Sequence, residues 1–236
     1  MERLKKYLKR YSNAKILDIG TGRGDFIALI DYLYQDYQEI IGIDIVDYLL
    51  QMNQKTFKDN PKIKFVEDDI LKTNLADNSF DIVCLSNTLH HLPDIEATLK
   101  QMKKVVKPEG IVIINEMISD KLNAKQISHK LLHHFAAKID RELGRVHQET
   151  YTEEQIIEIL KSNKDLNLLD YWQMKYDLPS ESDDLDGFYK IIDRLLCQVN
   201  ESESYNEYVK EAEELKTYLQ NNGFASATQL VLILNK

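Results

Sequence analysis

The chain has 236 residues, 43% hydrophobic and 29% charged, and its 30 Lys and Arg against 39 Asp and Glu give a formal charge of −9. That is enough apolar material for a packed core, which excludes a disordered chain, and the length fits one ordinary domain with an insertion. The acidic balance offers no broad grip on nucleic-acid phosphates, and no apolar run approaches the roughly 18 residues that a membrane span needs, so a soluble globular protein with no membrane partner is expected.

The first ten residues carry five bases and one acid, with neither the apolar stretch nor the cleavage site of a secretory signal, so the expected location is cytoplasmic. From Lys15 onward, short β-type runs alternate with helical stripes. The strands are expected at Ile16 to Ile19, Ile40 to Ile43, Ile63 to Val66, Phe80 to Leu85 and Ile111 to Ile114. Being almost continuously apolar, each reads as a central strand covered on both faces. Phe26, Leu29, Ile30 and Leu33 form one intervening helix face, and Ile95, Leu99, Met102 and Val106 another. Pro93 suits the first turn of the latter helix, and Pro108-Glu109-Gly110 its stop.

A long helix follows, roughly Lys121 to Leu143, then a second announced by the capping box Thr152-Glu153-Glu154-Gln155. Two further strands are expected at Leu166 to Tyr176 and Gln229 to Leu234. Between them lies an insertion with 12 acids and 4 bases from Asp177 to Lys216, whose apolar stripes read as two amphipathic helices. Cys84 and Cys197, far apart in apolar runs, read as buried small hydrophobes. The fold class is therefore α/β, a doubly wound, mostly parallel seven-stranded sheet of Rossmann-like type with a helical lid and a helical insertion before the last strand. Its expected parts within a single domain, residues 1–236, are a core over 15–117, the lid over 118–165 and the insertion over 177–222.

The most informative stretch runs from Ile16 through Asp18-Ile19-Gly20-Thr21-Gly22-Arg23-Gly24 into Asp25 and Phe26. A strand enters alternating glycines and then a helix, so a ligand can approach main chain where a side chain would block it. Asp44 ends the second strand, where a carboxylate can accept hydrogen bonds from both hydroxyls of a ribose. A nicotinamide dinucleotide is the nearest competitor, but its fingerprint is Gly-x-Gly-x-x-Gly. Here the spacing is Gly-x-Gly-x-Gly, and Asp25 in the first helical turn would repel a pyrophosphate.

With these residues, Lys15 to Met117 resembles the core of class I S-adenosylmethionine-dependent methyltransferases, of the small-molecule group that includes quinone-biosynthesis enzymes. Four further segments carry the resemblance: Gly42-Ile43-Asp44, Phe65-Val66-Glu67-Asp68-Asp69-Ile70, Ser86-Asn87-Thr88-Leu89-His90-His91-Leu92-Pro93-Asp94, and Lys107-Pro108-Glu109-Gly110. The chain departs from it at Asp68 and Glu109, where many relatives have glycine. The resemblance implies S-adenosylmethionine as cofactor, with Gly20 and Gly22 against its methionine moiety and Asp18 near the amino group. Asp44 would hold the ribose, Asp69 and the Ile70 backbone the adenine, and Ile45 one purine face, while Ser86 belongs to the cofactor-binding segment after strand four.

Methyl transfer from a sulfonium is an in-line displacement, so holding the reacting atoms and excluding water come first, and a base is needed only for an acceptor that is not already ionised. Candidate bases are His91 at the lip of strand four, Glu116 after strand five, and the lid residues His134, His147 and Tyr151, with His90 weaker. Arg145 would suit an anionic acceptor. On the long helix, His134 and His129 flank the apolar sector and His133 falls outside it, which reads as a solvated residue. These histidines do not converge on one ion and no zinc spacing is present, so no metal is expected. The leading reading is methyl transfer to a small-molecule nucleophile. The alternatives are a non-catalytic regulatory or partner protein that binds the cofactor and, less well supported, an RNA methyltransferase using the basic N-terminus. The insertion helices could cap the cavity or form a homodimer surface.

Overall fold

The computed structural model describes residues 1–175 and 185–236; Tyr176 and positions 177–184 of the expected strand and insertion lie outside the described residues. Seven strands build one sheet: β1 (Ala14–Ile19), β2 (Tyr37–Asp44), β3 (Ile63–Glu67), β4 (Phe80–Ser86), β5 (Val106–Met117), β6 (Asn167–Met174) and β7 (Gln229–Asn235). Their order is β3-β2-β1-β4-β5-β7-β6. All pairs from β3 to β5 are parallel, and β7 alone runs against its neighbours. The right-handed crossovers that parallel strands need are supplied by helices on both faces.

On one face, α1 (Glu2–Leu8), α2 (Asp25–Leu33) and α3 (Asp47–Thr56) bury Leu4, Leu8, Ile27, Ile30 and Leu50 against Ile16, Ile40 and Ile82. On the other, α4 (Ile95–Val105) and α6 (Glu153–Ser162) bury Leu99, Met102, Ile156 and Leu160 against Leu17, Val83, Val112 and Leu232. The alternation along each strand thus feeds two separate apolar layers. The basic N-terminus is part of this scaffold: Arg3 and Tyr7 of α1 both bond the Asp170 carboxylate on edge strand β6, and the Tyr7 ring stacks on Trp172.

Several local expectations change. The Ile63 to Val66 run is not a central strand, because β3 lies at the sheet edge and leaves Val66 46% exposed. Asp94, not Pro93, starts α4, its carboxylate accepting from the Ala97 amide at 2.9 Å. Pro108-Glu109-Gly110 sits inside β5 as an irregularity in its pairing with β4, so the helix ends before it. Cys84 is buried as expected, whereas Cys197 is exposed at the end of the helix Asp186–Cys197.

The long helix α5 (Ala124–Glu142) begins later than its periodicity suggests, because Asn123 and Gln126 close a reciprocal capping box. The box expected at Thr152 and Gln155 caps α6 in the same way. Thr152→Ala should lower unfolding free energy by about 1 kcal/mol, measured by urea denaturation. The insertion helices α7 (Asp186–Cys197) and α8 (Tyr205–Asn222) turn Ile192, Leu196, Ala212, Leu215 and Leu219 onto Leu132, Phe135 and Ile139 of α5. These residues of the apolar stripes are thus covered within the chain, with Phe188, Leu195, Tyr205 and Val209 partly buried beside them.

Candidate cofactor site

Strand order reverses between β2-β1 and β4-β5, so the loops leaving β1 and β4 diverge and open a crevice at their carboxyl ends. The loop after β1 is held by its glycines. Gly20 has φ +64° and Gly22 φ +51°, a left-handed conformation that side-chain-bearing residues rarely adopt. A Cβ at Gly20 would also stand 2.4 Å from the Thr88 methyl. That contact joins the loops after β1 and β4, and the Thr88 hydroxyl bonds the Gly20 carbonyl at 3.1 Å.

The crevice is a cavity of about 620 Å³, within the range of small-molecule sites. Its wall includes Gly20, Gly22, Asp44, Ile45, Asp69, Ile70, Asn87, Thr88, His91 and Leu92, with Asp140, Arg145 and Val146 of the lid on the far side. Ile45 is 71% exposed at its mouth. Such an apolar side chain beside a carboxylate suits a flat aromatic ligand.

Three carboxylates shape the electrostatics. Asp44 accepts from the Gly22 amide at 2.8 Å through one oxygen and from the Val46 amide at 3.0 Å through the other. Each oxygen keeps a second acceptor position. Asp69 accepts from the Leu71 amide and pairs with Lys72, and these contacts hold its pKa below the usual carboxylate value. Asp18 is 1% exposed; one oxygen accepts from the Thr21 hydroxyl at 2.7 Å, and the other has no hydrogen-bond partner among the described residues. Burial pushes its pKa up to about 7, the Thr21 bond opposing and the Asp44 charge adding.

These observations fit S-adenosylmethionine. The unpartnered buried Asp18 oxygen calls for a cation such as an α-ammonium, the side-chain-free glycine loop leaves room for a methionine chain, and Asp44 retains acceptor capacity for a ribose.

Beyond the cavity lies a polar network that sequence spacing does not reveal. Glu116 is fully buried within β5, not at the lip, and accepts from the Leu89 amide at 3.0 Å while contacting His90 Nδ1 at 2.6 Å. His90 Nε2 is 2.9 Å from His133 Nε2, which is 3.1 Å from His147 Nε2, and Asp140 holds His147 Nδ1 at 2.7 Å. His133 is therefore not a solvated surface residue, and the histidines do converge. Helical spacing within α5 could not show this, because His90 and His91 come from the turn after β4 and His147 from the loop after α5. Burial, and then the neighbouring rings, push the His91 pKa down to about 3 and that of His133 lower still. Burial likewise lowers His147, against the pull of Asp140.

Of the residues singled out from sequence, Gly20, Gly22, Asp44, Ile45, Asp69, Ile70 and His91 meet in the cavity wall. Asp18 lies outside the wall, under the loop. Ser86 is not in the wall either; its hydroxyl accepts from Asn115, and Asn87 and Thr88 occupy the corresponding wall. His134 bonds Thr150 on a different surface, and Tyr151 packs toward the apolar layer under α6. His147 is buried behind His91, their rings 4.0 Å apart. The missed wall residues Asn87, Thr88 and Leu92 lie in the segment already singled out after strand four.

Residues 17–114 match the family model described as a methyltransferase domain. That stretch is a methyltransferase domain by this match. The chain is 30% identical over 115 residues to demethylmenaquinone methyltransferase of Staphylococcus saprophyticus, covering 49% of each chain. The Staphylococcus aureus enzyme of that name is 27% identical over 150 residues, covering 64% of this chain and 62% of the relative. The chain thus spans about half to three-fifths of the length of these relatives. In fold, it is similar to an S-adenosylmethionine-dependent methyltransferase from Thiobacillus denitrificans solved with S-adenosylhomocysteine: TM-score 0.60, 15% identity, 99% of this chain and 89% of the other. The matched region holds the end of β1, all of β2 to β4 and most of β5, together with the glycine loop, Asp44 and Asp69.

Proposed function

We propose that this protein transfers a methyl group from S-adenosylmethionine to a small-molecule nucleophile. The observation that carries this reading is the crevice at the carboxyl ends of β1 and β4, where two left-handed glycines and Asp44 line one cavity and the unpartnered Asp18 oxygen lies beneath the glycine loop. The cofactor supplies an activated methyl group on a sulfonium. Gly20 and Gly22 leave the main chain open to its amino-acid end, Asp18 neutralises the ammonium, Asp44 accepts from the ribose, and Asp69 with the Ile70 backbone faces the adenine beside Ile45. His91 lies in the wall near the lid, where it faces the region an acceptor would occupy. Arg145, paired with Asp140 at 2.8 Å, offers a cation at the acceptor side. His134, His147 and Tyr151 act through the lid's packing in this reading, not on the acceptor.

The acceptor is a small molecule. The lid residues Asp140, Arg145 and Val146 line one side of a cavity of small-molecule size. Demethylmenaquinone-type quinols are the first acceptors to test, since the two staphylococcal relatives carry that name. Asp44→Ala should weaken S-adenosylhomocysteine binding by about 1–3 kcal/mol in calorimetry, the order expected for losing hydrogen bonds to a charged acceptor. Radiolabelled methyl transfer to a panel of quinols, thiols and amines tests turnover. Cofactor binding with no transfer to any of them would favour the regulatory reading.

A further inference from the structure

We propose that His90, His91, His133 and His147 form a binding site for a divalent transition-metal ion of the zinc class. Their ligand nitrogens all lie within 4.8 Å of one another, although they come from three separate segments. A tetrahedral ion with metal–nitrogen bonds of about 2.0–2.1 Å sets its nitrogens about 3.3 Å apart. The His90–His133 and His133–His147 Nε2 pairs stand at 2.9 and 3.1 Å, within a few tenths of an ångström of that spacing, and the remaining ligand pairs lie within 4.8 Å.

The outer contacts point the same way. The Glu116 and Asp140 carboxylates contact Nδ1 of His90 and His147, which leaves the Nε2 atoms of both rings facing inward. Both then face the single Nε2 of His133. Three ring nitrogens facing one another are what a cation resolves. Carboxylate-to-imidazole contacts on the far ring nitrogen also orient histidine ligands at metal centres. An all-imidazole set selects zinc, cobalt, nickel or copper over magnesium or calcium.

The location gives such an ion a role. His91 lines the cofactor cavity and packs on His147, while His133 belongs to α5 and His147 to the lid loop. An ion held by all four would tie α5 and the lid loop to the turn after β4 and so fix the wall of the cavity. This inference does not depend on the cofactor reading, because the ligands can be tested without cofactor or acceptor.

The test uses the full chain without a histidine tag, stripped with chelator, loaded with zinc or cobalt and dialysed. Metal content is read by mass spectrometry, and cobalt geometry by its visible ligand-field bands. The wild type should retain about one ion per chain and show the intense cobalt bands of a tetrahedral nitrogen site. His133→Ala and His91→Ala should lower metal affinity at least tenfold, and Glu116→Gln 10–100-fold. His134→Ala, on the same helix but bonded to Thr150, should bind as the wild type does. Circular dichroism identifies any variant that fails to fold, and His91→Ala, at the exposed rim, keeps the test decisive if His133→Ala unfolds. A wild type that retains no more metal than the folded His91→Ala variant overturns the proposal, as does a His134→Ala variant that loses the ion equally.

Discussion

Glu116→Ala should lower the unfolding free energy by about 3–5 kcal/mol, because it strips the acceptor from two buried donors at once. The Leu89 amide and the His90 ring both bond this carboxylate, and His90 and Glu116 are fully buried. No water reaches either group to replace the lost acceptor, so each donor incurs its full desolvation cost. The truncated side chain also leaves a void among Leu89 and the residues of β5. For a chain of this size the effect corresponds to a melting temperature lower by about 10 °C. Glu116→Gln keeps one acceptor oxygen but turns an amide donor toward a second donor, so a smaller loss of about 1–2 kcal/mol is expected. Chemical denaturation of the three proteins checks the order. A Glu116→Ala variant as stable as the wild type would mean that the turn after β4 is anchored by something else.

Asp18 predicts a pH dependence of definite sign. Burial pushes its folded pKa up to about 7, well above the ordinary carboxylate value of about 3.9. Between these values the folded protein binds more protons than the unfolded chain, so this residue makes the ligand-free protein less stable as pH rises. The effect is absent below about pH 4, grows through the window and levels off above about pH 7, reaching about 4 kcal/mol. Asp18→Asn removes the titration. The stability difference, wild type minus variant, should therefore fall by about 4 kcal/mol between pH 4 and pH 8, measured by urea denaturation at each pH. The cause is burial of a carboxylate with one unpartnered oxygen. An ammonium placed against that oxygen would stabilise the ionised form, so binding of S-adenosylhomocysteine near pH 7 should release a fraction of a proton. Calorimetry in buffers of different ionisation enthalpy measures that fraction. A pH-independent difference in stability would show that Asp18 is already solvated or paired.

Much of this architecture was legible in the sequence because it rests on local rules. Apolar runs too short for helices, alternating with 3.6-residue stripes, lead directly to the doubly wound sheet. Which strand of the mostly parallel sheet is reversed is not legible from that list; it is β7. Gly20, Gly22 and Asp44 were legible because the first two must turn left-handed and the third must end a strand beside them. Edge position was not, since Ile63 to Val66 is as apolar as a central run and only sheet order leaves Val66 exposed. The packing of α7 and α8 on α5 likewise depends on tertiary geometry, because an apolar stripe does not name its partner.

The histidine network shows the limit most clearly. His133 lies off the apolar face of α5, which reads as solvent when the helix is taken alone. In the folded chain that side meets the turn after β4, and a polar residue there finds His90 and His147 instead of water. Within a motif, sequence spacing places Gly20 relative to Gly22. It does not place His133 against His90, 43 positions away.

The central claim is that one crevice at the carboxyl ends of β1 and β4 binds an adenosyl sulfonium. A crystal structure of the protein soaked or grown with S-adenosylhomocysteine tests it most directly. The account predicts the ribose hydroxyls on Asp44, the purine beside Ile45 and Ile70, and the amino group toward the open oxygen of Asp18. A nucleoside bound elsewhere, or a crevice that stays closed by its own side chains at saturating ligand, would contradict it.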